Sequence, residues 1–141
     1  MSSKEISSFR LNSKIEDIHY FFIVNKSGTS FYSRKFTDKY ELKANLLGGF
    51  CIALMNFSVD MIGNKIKILE MENVKLTIVE KRTFFYVFLV EPNCKSSLLE
   101  KISLRIEREL LKLIRDNKVN PERKRLCNTE FDKKVDNIFL I

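Results

Sequence analysis

The sequence of 141 residues is poor in the residue types that most often carry enzyme chemistry. It contains one histidine, three cysteines, two prolines, four glycines and no tryptophan. A lone histidine, His19, cannot complete a zinc site with cysteines as scattered as these, and it leaves no serine or cysteine with a base attached by motif. We therefore predict a structural role for His19 and a protein that is not an enzyme and binds no metal or cofactor.

Long uninterrupted apolar runs are also missing. The longest, around Leu46–Val59, contains two glycines, an asparagine and a serine, and it is shorter than the ~20 apolar residues that a bilayer-spanning helix requires. Residues 1–17 are polar and mixed in charge, unlike a signal peptide. An odd number of cysteines favours a reducing compartment. These features predict a cytoplasmic protein, either soluble or recruited to a membrane surface.

Positive charge is what the sequence has in excess. Its 25 basic and 18 acidic residues give a net charge of +7, and the excess lies towards the two ends. The densest cluster is Arg123, Lys124 and Arg125, within a polar segment, 117–128, that predicts a basic loop. Such a cluster attracts anionic lipid or nucleic acid. These three residues are the candidate polyanion-binding site, and the alternative is a solvated loop with no ligand.

Five segments have the composition of β-strands: Ile18–Asn25, Ser30–Phe36, Lys65–Glu72, Val74–Ile78 and Thr83–Val90. The first and the last are apolar on both faces, as in the centre of a sheet. Ser30–Phe36 mixes apolar and charged residues, as an edge strand does. Short turns predict a hairpin of the first two strands and a meander of the other three.

The stretch Asp38–Ile62 predicts a first helix, capped by Asp38. It is apolar almost all round, so we expect it to be buried on more than one side. Gly48 and Gly49 each cost a helix ~1 kcal/mol relative to alanine. A close approach of the helix to the sheet would explain the pair, and Gly63 would end the helix.

Two more helices are predicted in the last third of the chain. Leu98–Arg115 has a clean apolar stripe, and Ser97 with Glu100 has the spacing of a capping box. Asn128 or Thr129 would cap a last helix, whose apolar residues are Phe131, Val135, Ile138 and Phe139. Another short helix is possible around Lys14–Asp17. We predict one domain of residues 1–141, in which 1–17 form an N-terminal extension.

The order β-β-α-β-β-β-α-α resembles that of longin domains and of their near relatives, the roadblock domains. IHYFFIVNKSGTSFYSRKF is similar to the opening hairpin of adaptor-complex small chains, and FDKKVDNIFLI to the third helix of those chains. NVKLTIVEKRTFFYVFLVEP, followed by an amphipathic helix, also fits the pattern. LLGGFCIALMNFSVDMIG resembles the glycine-containing first helix of archaeal longin- and roadblock-like proteins.

The resemblance covers residues 18–140 and implies an α+β fold. The five-stranded antiparallel sheet would have the order 2-1-5-4-3, with the helix Asp38–Ile62 on one face and the helix Leu98–Arg115 near it. It also implies a non-catalytic protein-binding scaffold in small-GTPase regulation or vesicle trafficking. Its partner would be a small GTPase or a second longin or roadblock subunit, and a homodimer is one form of this.

The predicted edge strand Ser30–Phe36 is the candidate partner-binding surface, because exposed edges and aromatic anchors are common in interfaces. The residues concerned are Phe31, Tyr32, Arg34, Lys35 and Phe36. Aromatic residues beside basic ones also stack on single-stranded nucleic acid. A basic nucleic-acid-binding α/β protein is therefore the alternative function, and a roadblock-type GTPase-regulating dimer is another.

Overall fold

The computed structural model describes residues 17–123 and 125–140, so most of the short helix predicted around Lys14–Asp17 lies outside the described residues. The elements in chain order are β1 (Ile18–Asn25), β2 (Ser30–Lys35), α1 (Ala44–Ile62), β3 (Ile68–Glu70), β4 (Lys75–Glu80), β5 (Phe84–Val90), α2 (Ser96–Arg115) and α3 (Thr129–Phe139). This is the order that the apolar pattern predicts.

The five strands form one antiparallel sheet in the order β2-β1-β5-β4-β3. The predicted strand order is therefore confirmed. β5 is buried at all of its positions and β1 at all but the last, because apolar side chains on both faces are stable only in the centre of a covered sheet. β2 and β3 are the edges, and β3 is shorter than the segment Lys65–Glu72 predicted for it.

Helices cover both faces of the sheet. α1 packs on one face, over a cluster that includes Phe22, Val87 and Leu89. α2 and α3 pack on the other face, over Phe21, Tyr86 and further residues of β1 and β5. The expectation that the helix Leu98–Arg115 lies near the first helix is wrong, because the sheet separates them. Two central strands that are apolar on both faces require cover on both sides.

α1 begins later than the sequence predicts. Its N-cap residue is Lys43, whose side chain makes no capping hydrogen bond, and the predicted cap Asp38 instead forms an ion pair with Lys35 at 2.9 Å. The C-terminal end agrees with the prediction. Gly63 has a left-handed φ of 75°, and its N–H donates to the carbonyl of Val59, as in helix ends closed by glycine.

The packing reason predicted for the glycine pair holds for Gly48 alone. A Cβ atom on Gly48 would lie 2.1 Å from the carbonyl oxygen of Gly28, in the turn between β1 and β2. Gly28 itself has a φ of 94°, which favours glycine. A Cβ on Gly49 would have no neighbour within 4 Å. α1 therefore contacts the β1–β2 turn backbone to backbone at one residue.

α2 and α3 are amphipathic helices that meet in an antiparallel pair. The predicted capping box is wrong, because the N-cap of α2 is Lys95, with no side-chain hydrogen bond. The predicted cap of α3 is confirmed, since the side-chain oxygen of Asn128 accepts from the N–H of Phe131 at 2.9 Å. The buried stripe of α3 consists of the predicted residues: Phe131, Val135, Ile138 and Phe139.

Candidate interaction surfaces

The aromatic surface predicted on the edge strand β2 is absent. Phe31 and Tyr32 are 0% and 5% exposed, respectively. Ile23 pairs with Tyr32 but the next residue, Val24, pairs with Ser30, so Phe31 is an extra residue in the register. At such a bulge two successive residues oppose one, and both Phe31 and Tyr32 belong to the core under α2 and α3.

α3 packs against two aromatic residues of this edge, Tyr32 and Phe36. The Tyr32 hydroxyl donates to Asp132 at 2.7 Å, and burial together with this hydrogen bond raises the pKa of the phenol. The ring of Phe36 packs against that of Phe139, with 4.5 Å between the ring centroids. Tyr32 and Phe36 therefore attach α3 to the sheet. Phe31 and Tyr32 are buried and cannot serve as anchors for an external partner.

The charged residues of β2 are accessible but already have intramolecular partners. Arg34 pairs with Asp136 of α3, and Lys35 pairs with Asp38. The outer edge of the strand is partly covered as well, because the carbonyl of Phe31 accepts from the N–H of Leu126 at 2.7 Å. The partner-binding role assigned to this strand remains a prediction, and it now rests on its charged residues alone.

The basic loop brings two of its three predicted residues together. Arg123 and Arg125 are exposed and line a surface hollow of about 400 Å³ with Lys118 and its neighbours, whereas Lys124 lies outside the described residues. Lys118 pairs with Glu130 at 3.5 Å. Polyanion binding by this cluster also remains a prediction.

The residues with potential chemistry are dispersed. Nε2 of His19 lies 3.0 Å from Glu91, and Nδ1 lies 2.6 Å from the Thr37 hydroxyl, so the histidine links β1 to the end of β5. Pairing with His19 lowers the pKa of Glu91. Burial raises the pKa of the Cys51 thiol to about 11, which disfavours the reactive thiolate. The described residues contain no group of three His, Cys, Asp or Glu side chains that could hold a metal ion.

The most conspicuous surface feature is on α1. Leu46, Phe50, Phe57 and Met61 recur at helical spacing and are 50–63% exposed; we call this row the α1 stripe. The opposite side of the helix is buried against the sheet through Leu47, Cys51 and Met55, among others. Large contiguous apolar patches on a protein surface mark interaction sites, so the α1 stripe is the strongest candidate interface.

Further exposed apolar residues follow α1 in the chain. Val59 and Ile62 are exposed near its end, and Ile68 and Met71 are exposed in and after β3. In the described part of the chain, eight of the ten exposed large hydrophobic residues therefore lie between positions 46 and 71. The candidate interface is the α1 stripe, which Val59 and Ile62 extend towards the end of the helix.

The sequence contains the signal for this surface, but its meaning is ambiguous. An almost continuously apolar helix predicts burial on more than one side, whereas the structure covers α1 on one side. The expectation that this stretch is too short for a bilayer span is wrong by length and composition alone. Asn45–Ile62 meets both criteria, with a mean hydropathy of 1.5 and 28% of the window buried. α1 therefore carries more apolar residues than the sheet covers.

Several known structures, one of them a homology model, are similar to this chain. A chain of a homology model of the full-length AP-3 complex in a stretched open conformation matches with a TM-score of 0.56 at 13% identity, over 86% of this chain and 90% of that one. MglB of Myxococcus xanthus gives 0.47 at 19% identity, over 82% and 99%. A roadblock/LC7 domain from Streptomyces avermitilis gives 0.46 at 8% identity, over 62% and 80%.

No protein-family model matches the sequence, and no curated protein matches it. At identities this low, the similarity concerns the fold alone. The strand order β2-β1-β5-β4-β3, together with the match to the AP-3 chain, identifies a fold of the longin and roadblock type. The class implied by the sequence resemblance is thereby confirmed at the level of fold.

Proposed function

We propose that this protein is a non-catalytic binding scaffold, and that the α1 stripe pairs with a second copy of the chain. The observation that carries the proposal is the row of large apolar side chains at Leu46, Phe50, Phe57 and Met61, which are exposed in the single chain. Fully burying a side chain of this size contributes roughly 1.5–3 kcal/mol. Four of them from each copy give a contact of this kind a substantial driving force.

Charge favours a second copy as the occupant. Of the 19 residues of α1, only Asp60 is charged. A two-fold contact places the same patch against itself, and like charges within it would repel. The chain as a whole carries +7, so the helix α1 is one of the few surfaces on which two copies can approach without that cost.

A second surface open to association is the free edge of the sheet at β3. β3 is three residues long and pairs on one side only, with β4. Ile68 on this strand is 42% exposed, and Met71 just beyond it is 45% exposed. An unpaired strand edge is a template for pairing with another chain. Ile68 pairs with Thr77, which pairs with Phe88 on the α2–α3 side of the sheet. The side chain of Ile68 therefore lies on the face opposite the α1 stripe, and the β3 edge is a separate surface.

The wider role that we propose is regulation of a small GTPase or of vesicle trafficking in the cytoplasm. Its support is the longin and roadblock type of fold, to which the sequence resemblance attaches partners of that kind. In this proposal the paired scaffold presents its remaining surfaces to the GTPase. The described residues supply no constellation that assigns a reaction, and the proposal requires none.

The test of pairing is the mass of the purified full chain in sedimentation velocity across a range of concentrations. We expect a dimer, and we expect Phe57→Glu to give a monomer with unchanged helix content by circular dichroism. Leu104→Glu is the matched control, because Leu104 is 50% exposed on α2, on the other side of the sheet. This variant should remain a dimer.

A monomeric wild-type chain at all concentrations would overturn the pairing, as would equal effects of the two variants. The GTPase role is tested separately, by sedimentation with candidate small GTPases loaded with GDP or with a non-hydrolysable GTP analogue. Binding that prefers one nucleotide state supports regulation. A dimer that binds no GTPase in either state would contradict the regulatory role and leave the pairing intact.

A further inference from the structure

The outward face of α2 carries a row of cations. Lys101, Arg105, Arg108, Lys112 and Arg115 are all exposed, and we call these five residues the cationic face. Within the part of the chain that the structure describes, none of them forms an ion pair with a carboxylate. The row spans 15 residues, and its two ends are ~21 Å apart at the rise of an α-helix.

The carboxylates of α2 do not neutralise this face, because they bind elsewhere. Glu100 pairs with Lys81 at 3.2 Å, beside the turn between β4 and β5. Glu107 accepts a hydrogen bond from the hydroxyl of Tyr86. Glu109 pairs with Lys134 of α3 at 3.2 Å. Each acidic residue thus lies to the side of the helix or beneath it, although the sequence of α2 looks well balanced in charge.

The same is true of α3. Its three carboxylates are held by residues of β2 and of the loop before the helix: Glu130 by Lys118, Asp132 by Tyr32 and Asp136 by Arg34. Lys133 of α3 is exposed. The outer surface of α2 therefore presents positive charge from Lys101 to Arg115, and α3 adds Lys133. The exposed Asp116 lies just beyond this row, at the end of α2.

Two exposed leucines lie among the cations. Leu104 and Leu111 are 50% and 40% exposed, one heptad apart on α2. Between α2 and α3 there is also an open groove of about 390 Å³. It is lined by four apolar and three basic residues: Leu98, Ile102, Leu104, Ile138, Lys101, Arg105 and Arg108. A surface of lysine, arginine and leucine on an exposed helix is typical of proteins that lie at the interface of an anionic membrane.

We propose that the α2–α3 layer docks on the surface of an anionic lipid bilayer through the cationic face, with Leu104 and Leu111 inserted among the headgroups. A bilayer is flat and extended, so it meets all five cations at once. An acidic peptide in the groove would reach the three that line it, but not Lys112 and Arg115. Nucleic acid would leave the leucines without a partner. The described residues of α2 and α3 also expose no aromatic ring for stacking, because Phe131 and Phe139 are buried.

The proposed membrane surface and the α1 stripe lie on opposite faces of the sheet. Docking on a bilayer therefore leaves the α1 stripe accessible, and the two contacts are compatible. This inference does not depend on the pairing of two copies. A paired molecule would present two cationic faces, which would raise the avidity for a membrane if both reach it.

The experiment is co-sedimentation of the full chain with phosphatidylcholine vesicles that contain 30% phosphatidylserine, compared with phosphatidylcholine alone. We expect binding to the anionic vesicles only, and a steep loss of binding when salt is raised from about 50 to 500 mM, because salt screens such charges. Each Lys or Arg near an anionic bilayer contributes roughly fivefold to the partition constant. The triple variant Arg105→Gln, Arg108→Gln, Lys112→Gln should therefore lose about 100-fold.

The matched control changes net charge by the same amount on other surfaces. Lys43→Gln, Lys67→Gln and Arg82→Gln together also remove three charges, from residues that are exposed and outside α2 and α3. This control should lose only a few-fold. Leu104→Ser with Leu111→Ser should weaken binding without altering its salt dependence.

Three results would overturn the proposal. Equal binding to neutral vesicles would point to apolar adsorption through the α1 stripe. Equal losses for the two triple variants would point to net charge without a defined face. Tight binding of an oligonucleotide that the α2 triple variant abolishes, in the absence of vesicle binding, would assign the cationic face to nucleic acid instead.

Discussion

The helices on the two faces of the sheet differ in how much of their apolar surface is buried. α2 buries its apolar stripe, which includes Leu99, Ile106 and Leu110, and exposes lysine and arginine. α1 buries a narrow row such as Leu47 and Cys51 and exposes a second apolar row on its far side. The apolar residues of α2 are mostly buried in the single chain, whereas α1 has more apolar residues than the single chain buries.

This difference separates residues that hold the fold from residues that serve an interface. The α2–α3 layer uses most of its large apolar residues to cover β1 and β5, with Leu104 and Leu111 exposed on α2, and its outer face is rich in positive charge. α1 needs only a few, because Gly48 lets its backbone contact the β1–β2 turn directly. Its remaining apolar residues contribute little to the stability of the single chain, so we interpret them as part of a binding surface.

The strongest test of this comparison is the same substitution, phenylalanine to alanine, made once on each face of the sheet. Phe131 of α3 is 0% exposed and Phe57 of α1 is 61% exposed. Phe131→Ala removes a buried ring and leaves a cavity, which typically costs 3–5 kcal/mol of unfolding free energy. Phe57→Ala should change the free energy of unfolding of the single chain by about 0.5 kcal/mol or less. Urea unfolding of both variants measures the difference.

Protein concentration sharpens this test. If Phe57 is buried by a second copy, the cost of Phe57→Ala should grow as the concentration rises, because association stabilises the folded state by mass action. The cost of Phe131→Ala should depend much less on concentration. Similar costs for both variants in dilute solution would show that the α1 stripe belongs to the core of the single chain, and the comparison would fail.

The next effect concerns the glycine contact. Gly48→Ala would place a Cβ against the backbone of Gly28, which must then move, and we expect a loss of roughly 1–3 kcal/mol from overpacking. Gly49→Ala meets open space in the same helix, and should gain up to about 1 kcal/mol from helix propensity. Melting temperatures in opposite directions are the expected readout. A loss in both would mean that the helix tolerates no side chain at either residue.

Much of the fold follows from the apolar pattern. Two segments that are apolar on both faces lie in the middle of a covered sheet, as β1 and β5 do. The full order 2-1-5-4-3 is what the resemblance to longin and roadblock domains implies. The helix starts were harder to predict. Asp38 and Ser97 have good capping residue types, but Asp38 pairs with Lys35 and α2 starts without a side-chain cap. Local capping residues do not determine the helix start where the chain must first turn onto a face of the sheet.

The candidate site was less predictable for two physical reasons. Strand alternation places Phe31 and Tyr32 on opposite faces. The register shift that brings both into the same core cluster has no clear mark in the sequence. An apolar face also looks the same whether it is covered by the same chain or by another one. For this reason the helix Asp38–Ile62 predicts two-sided burial, and the α1 stripe becomes visible only in the structure.

The smallest expected effect tests how the α2–α3 layer is attached to the sheet edge. The Tyr32 hydroxyl donates to Asp132, so we expect Tyr32→Phe to cost about 1 kcal/mol, the net contribution of a typical hydrogen bond. The pKa of Tyr32 is raised in the folded chain, by burial first and then by Asp132. The pKa of Tyr86 is raised too, by burial and by Glu107.

A raised tyrosine pKa makes the fold less stable at high pH. Above pH ~10 the phenol ionises in the unfolded chain and stays protonated in the folded one, so each such tyrosine lowers the free energy of unfolding by about 1.4 kcal/mol per pH unit until its folded pKa is reached. Tyr32→Phe should remove one of the two contributions and leave that of Tyr86. The variant is then less stable than the wild type at pH 7, and the two unfolding curves should converge or cross between pH 10 and 11. Parallel curves would show that the phenol ionises as readily in the folded chain, and hence that α3 does not cover it.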